Sequence, residues 1–138
     1  MCTWSNICEL EDTSLIHKLS SEYNISIPEE FITFMKFYNG GISRPHPYIY
    51  IQQLSKGFFV NRILSYDDSV EGVTDELMNI IVQDLSNDKG DSIAGLPFAK
   101  TEKGYLLIND NRVLHKDNCG DVWEVDSNFN HFLELITN

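Results

Sequence analysis

Any chemistry performed by this chain would have to come from three cysteines, four histidines and an uneven scatter of carboxylates. The nearest thing to a catalytic set is Cys119 as a nucleophile, with His115 or His131 as its base and Asp121 or Asp126 to orient the imidazole. A thiolate nucleophile needs a base within hydrogen-bond reach and donors for the developing oxyanion. Here the residues are merely near one another along the chain, and Cys119 falls in a polar turn, Asp117-Asn118-Cys119-Gly120-Asp121. A reduced, partly exposed thiol is the expectation, with no catalytic residue. His17, His46, His115 and His131 show neither H-x-H nor H-x-x-x-H spacing, and Cys2, Cys8 and Cys119 form no CxxC pair, so no metal or other cofactor is expected. Asp67-Asp68, Glu71 and Asp75-Glu76 invite a cation or acid/base reading but lack the D-x-D-x-D-G spacing of a calcium loop. Gly40-Gly41 is no phosphate loop either, because it closes a helix and no Lys-Ser/Thr follows.

The acids make more sense together. Asp67, Asp68, Glu71, Asp75, Glu76, Asp84, Asp88 and Asp91 face Lys89 alone within residues 67–91, giving −7 of the chain's −11. At physiological salt, charges couple over roughly 8 Å, so a dense patch can steer a cationic partner and raise its on-rate. These eight residues are the candidate partner-binding set, and a basic protein is the partner they suit. The plainer alternative is a solvated acidic edge, with binding carried by the Pro/Tyr-rich stretch Pro45 to Tyr50, since aromatic anchors usually outweigh rim charges. The same net charge disfavours nucleic acid and anionic membrane surfaces.

The elements that must position these residues can be read from periodicity. Leu15, Ile16, Leu19 and Tyr23 form one helical face over 13–23, with Asp12 or Thr13 as the cap. Pro28-Glu29-Glu30 opens a second helix whose apolar stripe is Phe31, Phe34, Met35 and Tyr38, and Asn39-Gly40-Gly41 stops it. Tyr48–Ile51 and Gly57–Val60 read as strands. A third helix is predicted from Thr74, its cap, to about Leu85, with Leu77, Ile80, Ile81 and Leu85 inward and Val73 stapled on Met78. Residues 87–91 read as a polar loop. Leu96–Ala99, Tyr105–Ile108, Arg112–His115 and Val122–Val125 follow as short strands. A last helix, capped by Asp126 or Ser127, carries Phe129, Phe132, Leu133 and Ile136 inward.

Helices near both ends, one in the middle and about five to six antiparallel strands describe an α+β fold. With 138 residues it should be one domain, 1–138, with a core that needs no disulfide or metal. The N-terminus lacks the basic start and apolar stretch of a secretory signal, and no apolar run approaches the roughly 20 residues of a membrane span. A cytoplasmic location is the expectation.

Three segments resemble the SUKH superfamily, which includes bacterial toxin-immunity proteins and fungal cell-wall assembly regulators. They are Ile27–Phe31 through Tyr38-Asn39-Gly40-Gly41; Leu96–Ala99 with Gly104 and Leu106–Ile108; and Gly120–Asp126 running into Ser127-Asn128-Phe129 and Phe132-Leu133. Their order covers nearly the whole chain, and the likeness is weakest over about 42–95. The resemblance implies an immunity protein that neutralises a polymorphic or contact-dependent toxin, often a nuclease, by direct binding in the cytosol. A regulatory or scaffold protein of the same fold is the alternative it allows. Neither role calls for catalytic residues or a cofactor.

Overall fold

The structure, a computed structural model, describes residues 3–85 and 93–137, and for 83–85 the backbone path alone. The predicted loop over 87–91 lies outside the described residues. In chain order the elements are β1 (Thr3–Ser5), α1 (Ser14–Glu22), α2 (Glu29–Tyr38), β2 (Ile42–Arg44), β3 (Tyr48–Ile51), β4 (Lys56–Ile63), α3 (Asp75–Asn79), β5 (Leu96–Thr101), β6 (Gly104–Asn109), β7 (Arg112–Asp117), β8 (Val122–Asp126) and α4 (Phe129–Thr137). Strands β3 to β8 form one antiparallel sheet in sequence order, and β1 pairs with β2 in a separate two-stranded ribbon. The α+β architecture expected from the sequence is the one observed.

Each element follows from its residues. Strand β6 lies between β5 and β7, and its Leu106, Leu107 and Ile108 are all buried, so this part of the sheet is covered on both faces. Phe31 and Phe34 from α2, Phe98 from β5 and Phe129 and Phe132 from α4 meet in one cluster. Their edge-to-face pairs have centroids 5.7 Å apart for Phe31–Phe98 and 5.9 Å for Phe34–Phe129. Each such pair adds about 0.5–1.5 kcal/mol beyond its area burial. Helices α2 and α4 are thereby fixed against the sheet.

At the end of α2, Gly40 takes the left-handed backbone (φ +72°) that a side chain would disfavour. Asn39, fully buried, ties three segments together at this point. Its Oδ1 accepts the Tyr66 N–H (2.7 Å), and its Nδ2 donates to Cys8 O (3.1 Å) and Ser65 Oγ (3.2 Å).

Three expectations change. The α1 cap is settled for Asp12, whose Oδ1 accepts the Ser14 N–H (2.9 Å), while Thr13 makes no side-chain cap bond. At α4 neither Asp126 nor Ser127 is the cap: Asn128 Oδ1 takes the His131 N–H (3.2 Å), and Asp126 turns the chain one step earlier by accepting the Asn128 N–H. The third helix is α-helical only over Asp75–Asn79 and continues as a π-turn over Ile80–Leu85; Thr74 makes no cap bond and Val73 is exposed. Ile80-Ile81-Val82 is a β-branched run, which loses side-chain freedom in an α-turn and so weakens the α-helix where it gives way. Leu77, Ile80 and Ile81 are buried as expected.

Candidate functional site: a protein-binding surface

The acidic segment leaves the core at Tyr66, whose hydroxyl donates to Pro97 O (2.6 Å) and whose ring is fully buried. Asp67 then folds back on its own turn. Its Oδ1 accepts the Ser69 N–H (3.0 Å) and hydroxyl, which hold its carboxyl below the usual range, and its other oxygen accepts from Cys8 Sγ (3.5 Å). That bond in turn pushes the Cys8 thiol up. Glu76 is bound by both terminal nitrogens of Arg62, which keeps it ionised to lower pH than a free glutamate. Asp68, Glu71 and Asp75 are exposed and make no side-chain ion pair among the described residues.

Over 67–76 there are five acids and no base, and Arg62 offsets one, leaving four negative charges on one exposed stretch. The structure therefore sorts the eight predicted residues. Asp67 and Glu76 serve local structure, and Asp68, Glu71 and Asp75 are exposed with no ion-pair partner among the described residues. Asp84 is described by its backbone alone, and Asp88 and Asp91 lie outside the described residues.

Next to this segment lies the outer face of the sheet. Strand register aligns Arg62, Lys100, Tyr105, Lys116 and Val122 in one row across five strands, none of them buried. On β3 and β4 the same face carries Tyr48, Tyr50 and Phe59, exposed by 53%, 55% and 42%. Successive residues of a strand point to opposite faces, so only one of Phe58 and Phe59 can enter the core; Phe58 does. Tyr48 packs on Phe59 with centroids 4.7 Å apart and extends over Gly57, where an added Cβ would stand 2.1 Å from its hydroxyl oxygen. Glycine thus lets an exposed tyrosine lie flat on the strand. Pro45 to Tyr50, the competing stretch in the sequence, supplies two of these three rings. Phe59 was missed, though its place beside an inward Phe58 was the available signal.

The candidate catalytic residues are not assembled. His115 is fully buried, with Nε2 2.8 Å from Thr101 Oγ1 and Nδ1 3.2 Å from Asp117 Oδ1. The Asp117 carboxylate can only accept, so a neutral imidazole carries its proton on Nδ1 and takes the Thr101 hydroxyl proton at Nε2, while Thr101 Oγ1 itself accepts the Lys103 N–H. Asp117 also accepts the Trp123 indole N–H (3.0 Å) and lies 3.9 Å from Lys56 Nζ. Burial pushes the His115 imidazole below its ordinary value, against the pull of Asp117. Cys119 is exposed in the β7–β8 turn. His131 and Asp126 do pair, which raises the imidazole, but they sit at the far end of β8. That strand's length separates them from the turn by about 13 Å at roughly 3.3 Å per residue. Among the described residues no three cysteine, histidine or acidic side chains gather as metal ligands, and no helix is long and apolar enough to cross a membrane.

Taken together, the fold and its open surface define a small α+β domain built on an antiparallel meander with an exposed acidic segment and three exposed aromatic rings. The model of the SMI1 / KNR4 family (SUKH-1) matches residues 12–137, and the chain belongs to that family. No curated protein and no solved structure matches it.

Proposed function

We propose that this protein is an immunity protein that neutralises a cognate toxin, most simply a basic nuclease, by binding it directly in the cytosol. Family membership supports a SUKH-type binding role. The observation that carries the finer reading is the stretch 67–76, where Asp68, Glu71 and Asp75 are exposed, with no ion-pair partner among the described residues, beside a sheet face bearing Tyr48, Tyr50 and Phe59. Rim acids attract a cationic protein from a distance, and clustered rings provide the desolvated contact that holds it. A nuclease is cationic because its substrate is a polyanion, and it is therefore the complementary partner.

The test is to identify a basic toxic protein encoded beside this chain and to co-express the two. Restored growth and a co-purifying complex are the expected results. Changing Asp68, Glu71 and Asp75 to lysine should slow association about tenfold at low salt and flatten its salt dependence. No rescue and no complex would remove the immunity role and favour a scaffold that binds another cellular protein.

A further inference from the structure

Among the described residues the six-stranded sheet is open at both ends, since β3 and β8 each have a neighbour on one side alone. It is also strongly curled. Four steps separate β4 from β8, which in a flat sheet would place them about 19 Å apart at roughly 4.8 Å per step. Yet Phe58 of β4 and Trp123 of β8 have ring centroids 5.9 Å apart, and Lys56 Nζ sits 5.0 Å over the same indole. Curling brings the two free edges to the banks of one groove of about 600 Å³. Ile49, Tyr50 and Leu54 line one bank; Trp123, Glu124 and Asp126 line the other, with Leu135 and His131 of α4 beside them.

Free strand edges are ordinarily blunted by lysine, proline or a covering element, because their unpaired N–H and C=O groups recruit other strands. Strand β3, Tyr-Ile-Tyr-Ile, has no such protection within the strand, and β8, Val-Trp-Glu-Val-Asp, is blunted by a bulge at Val125 and by the acids Glu124 and Asp126 alone, charges that discourage another acidic edge and not a cationic one. Leu54 and Leu135 remain exposed at 43% and 48%. Among the described residues no lysine or arginine lines the groove, though Lys56 stands over Trp123 and His131 pairs with Asp126; Glu124 and Asp126 line it, and Glu134 acts on His131 from the next turn of α4. Arg112 reaches Glu124 from β7 (3.1 Å), an exposed pair worth little in water.

We propose that this groove receives an extended, cationic segment of a partner protein, which adds a strand along β8 and places alternate apolar side chains against Ile51, Leu54 and Leu135. A second copy of this chain is the poorer occupant, because edge-to-edge pairing would set Glu124 and Asp126 against like charges in a molecule of net charge −11. The inference rests on the reading that the partner is a basic protein and adds a contact separate from the acidic segment.

A synthetic nonapeptide of alternating lysine and valine is the probe, with a glutamate–valine peptide as control. Bound to the full chain, the lysine peptide should slow amide hydrogen exchange within Val122–Asp126 about tenfold or more, and the glutamate peptide should not. Glu124→Lys with Leu135→Lys should weaken lysine-peptide binding about tenfold, whereas reversing Asp68, Glu71 and Asp75 should leave it unchanged. Protection that is absent from β8, or that persists in the groove variant, overturns the proposal. So does a dimer seen by sedimentation without peptide and lost on Leu135→Lys, which would assign the edge to a second copy. If the groove variant still binds the toxin like the parent while the acidic-segment variant does not, the groove proposal fails and the immunity reading stands.

Discussion

Residues 96–117 and residues 64–76 lie side by side, joined through Tyr66 and Pro97, but they are held by different means. In the meander β5–β7, nearly every residue has a cross-strand partner, and the interior row Leu106, Leu107 and Ile108 is shut off from water. Over 64–76 the chain meets the sheet by backbone at Leu64, whose N–H donates to Phe98 O (2.9 Å), and beyond that discrete ties anchor it, among them Asn39 to Ser65 and Tyr66, the Tyr66 hydroxyl to Pro97, and Arg62 to Glu76. Redundant pairing makes the meander a frame that tolerates loss at single sites. The acidic segment rests on single points, and its outward residues are left to charge and solvent. Surface that need not serve the core can be varied to choose a partner.

The largest expected effect breaks that comparison at its joint. Asn39→Ala removes three side-chain hydrogen bonds at a fully buried site and leaves the Tyr66 N–H and Cys8 O without their partner. A loss of about 2–4 kcal/mol is expected by urea denaturation. Amide exchange should accelerate first over 64–76 and only later in β6. Uniform acceleration across both regions would show that the segment has no separate dependence on Asn39.

How much of this could be read in the sequence differs between the same two regions. The meander was legible because strand alternation, turn residues and the Phe129–Ile136 helix face all report burial, and burial is what periodicity encodes. Asn39-Gly40-Gly41 was legible as a helix stop, since the left-handed turn demands glycine, but the reach of the Asn39 side chain to residue 66 was not. Hydrogen bonds between distant segments leave no periodic trace. The same holds for Glu76, which looked like one acid among eight until Arg62, fourteen residues earlier, was found against it. The π-turn after Asn79 was hidden because its buried residues, Leu77, Ile80 and Ile81, also fit an α-helical stripe.

A smaller effect comes from the frame's one buried imidazole. His115 is neutral in the native state, held low by burial, whereas unfolding returns it to an ordinary value near 6.5. Between the native pKa and about 6.5 the unfolded chain binds more protons, so stability falls as pH drops through that window and then levels. His131 has the opposite sign, since Asp126 raises it, but it is exposed and its effect is small. Asp67 and Glu76 are both lowered and withdraw stability only below about pH 4. Melting temperature should therefore decline from about pH 7 to pH 5, and His115→Gln should flatten the decline. An unchanged slope in that variant would place the titrating group elsewhere than in the Thr101–His115–Asp117 chain.

The smallest effect on stability is expected where the effect on binding is largest. Asp68, Glu71 and Asp75 are exposed and unpaired, and Asp75 alone stands in the first turn of α3, where an acid favours the helix dipole by about 0.3–1 kcal/mol. Replacing all three with lysine removes that contribution but also relieves repulsion in a segment with four uncompensated negative charges, and the two changes oppose each other. A net change within about 0.5 kcal/mol is expected, as for other surface substitutions. Thermal melts at low and moderate salt would check it, because the repulsive part is screened and the packing of the frame is not. A loss of several kcal/mol would mean that these carboxylates hold the segment in place. In that case slower toxin association by the same variant would report a damaged fold, and the steering role would have to be tested by neutralising the acids one at a time.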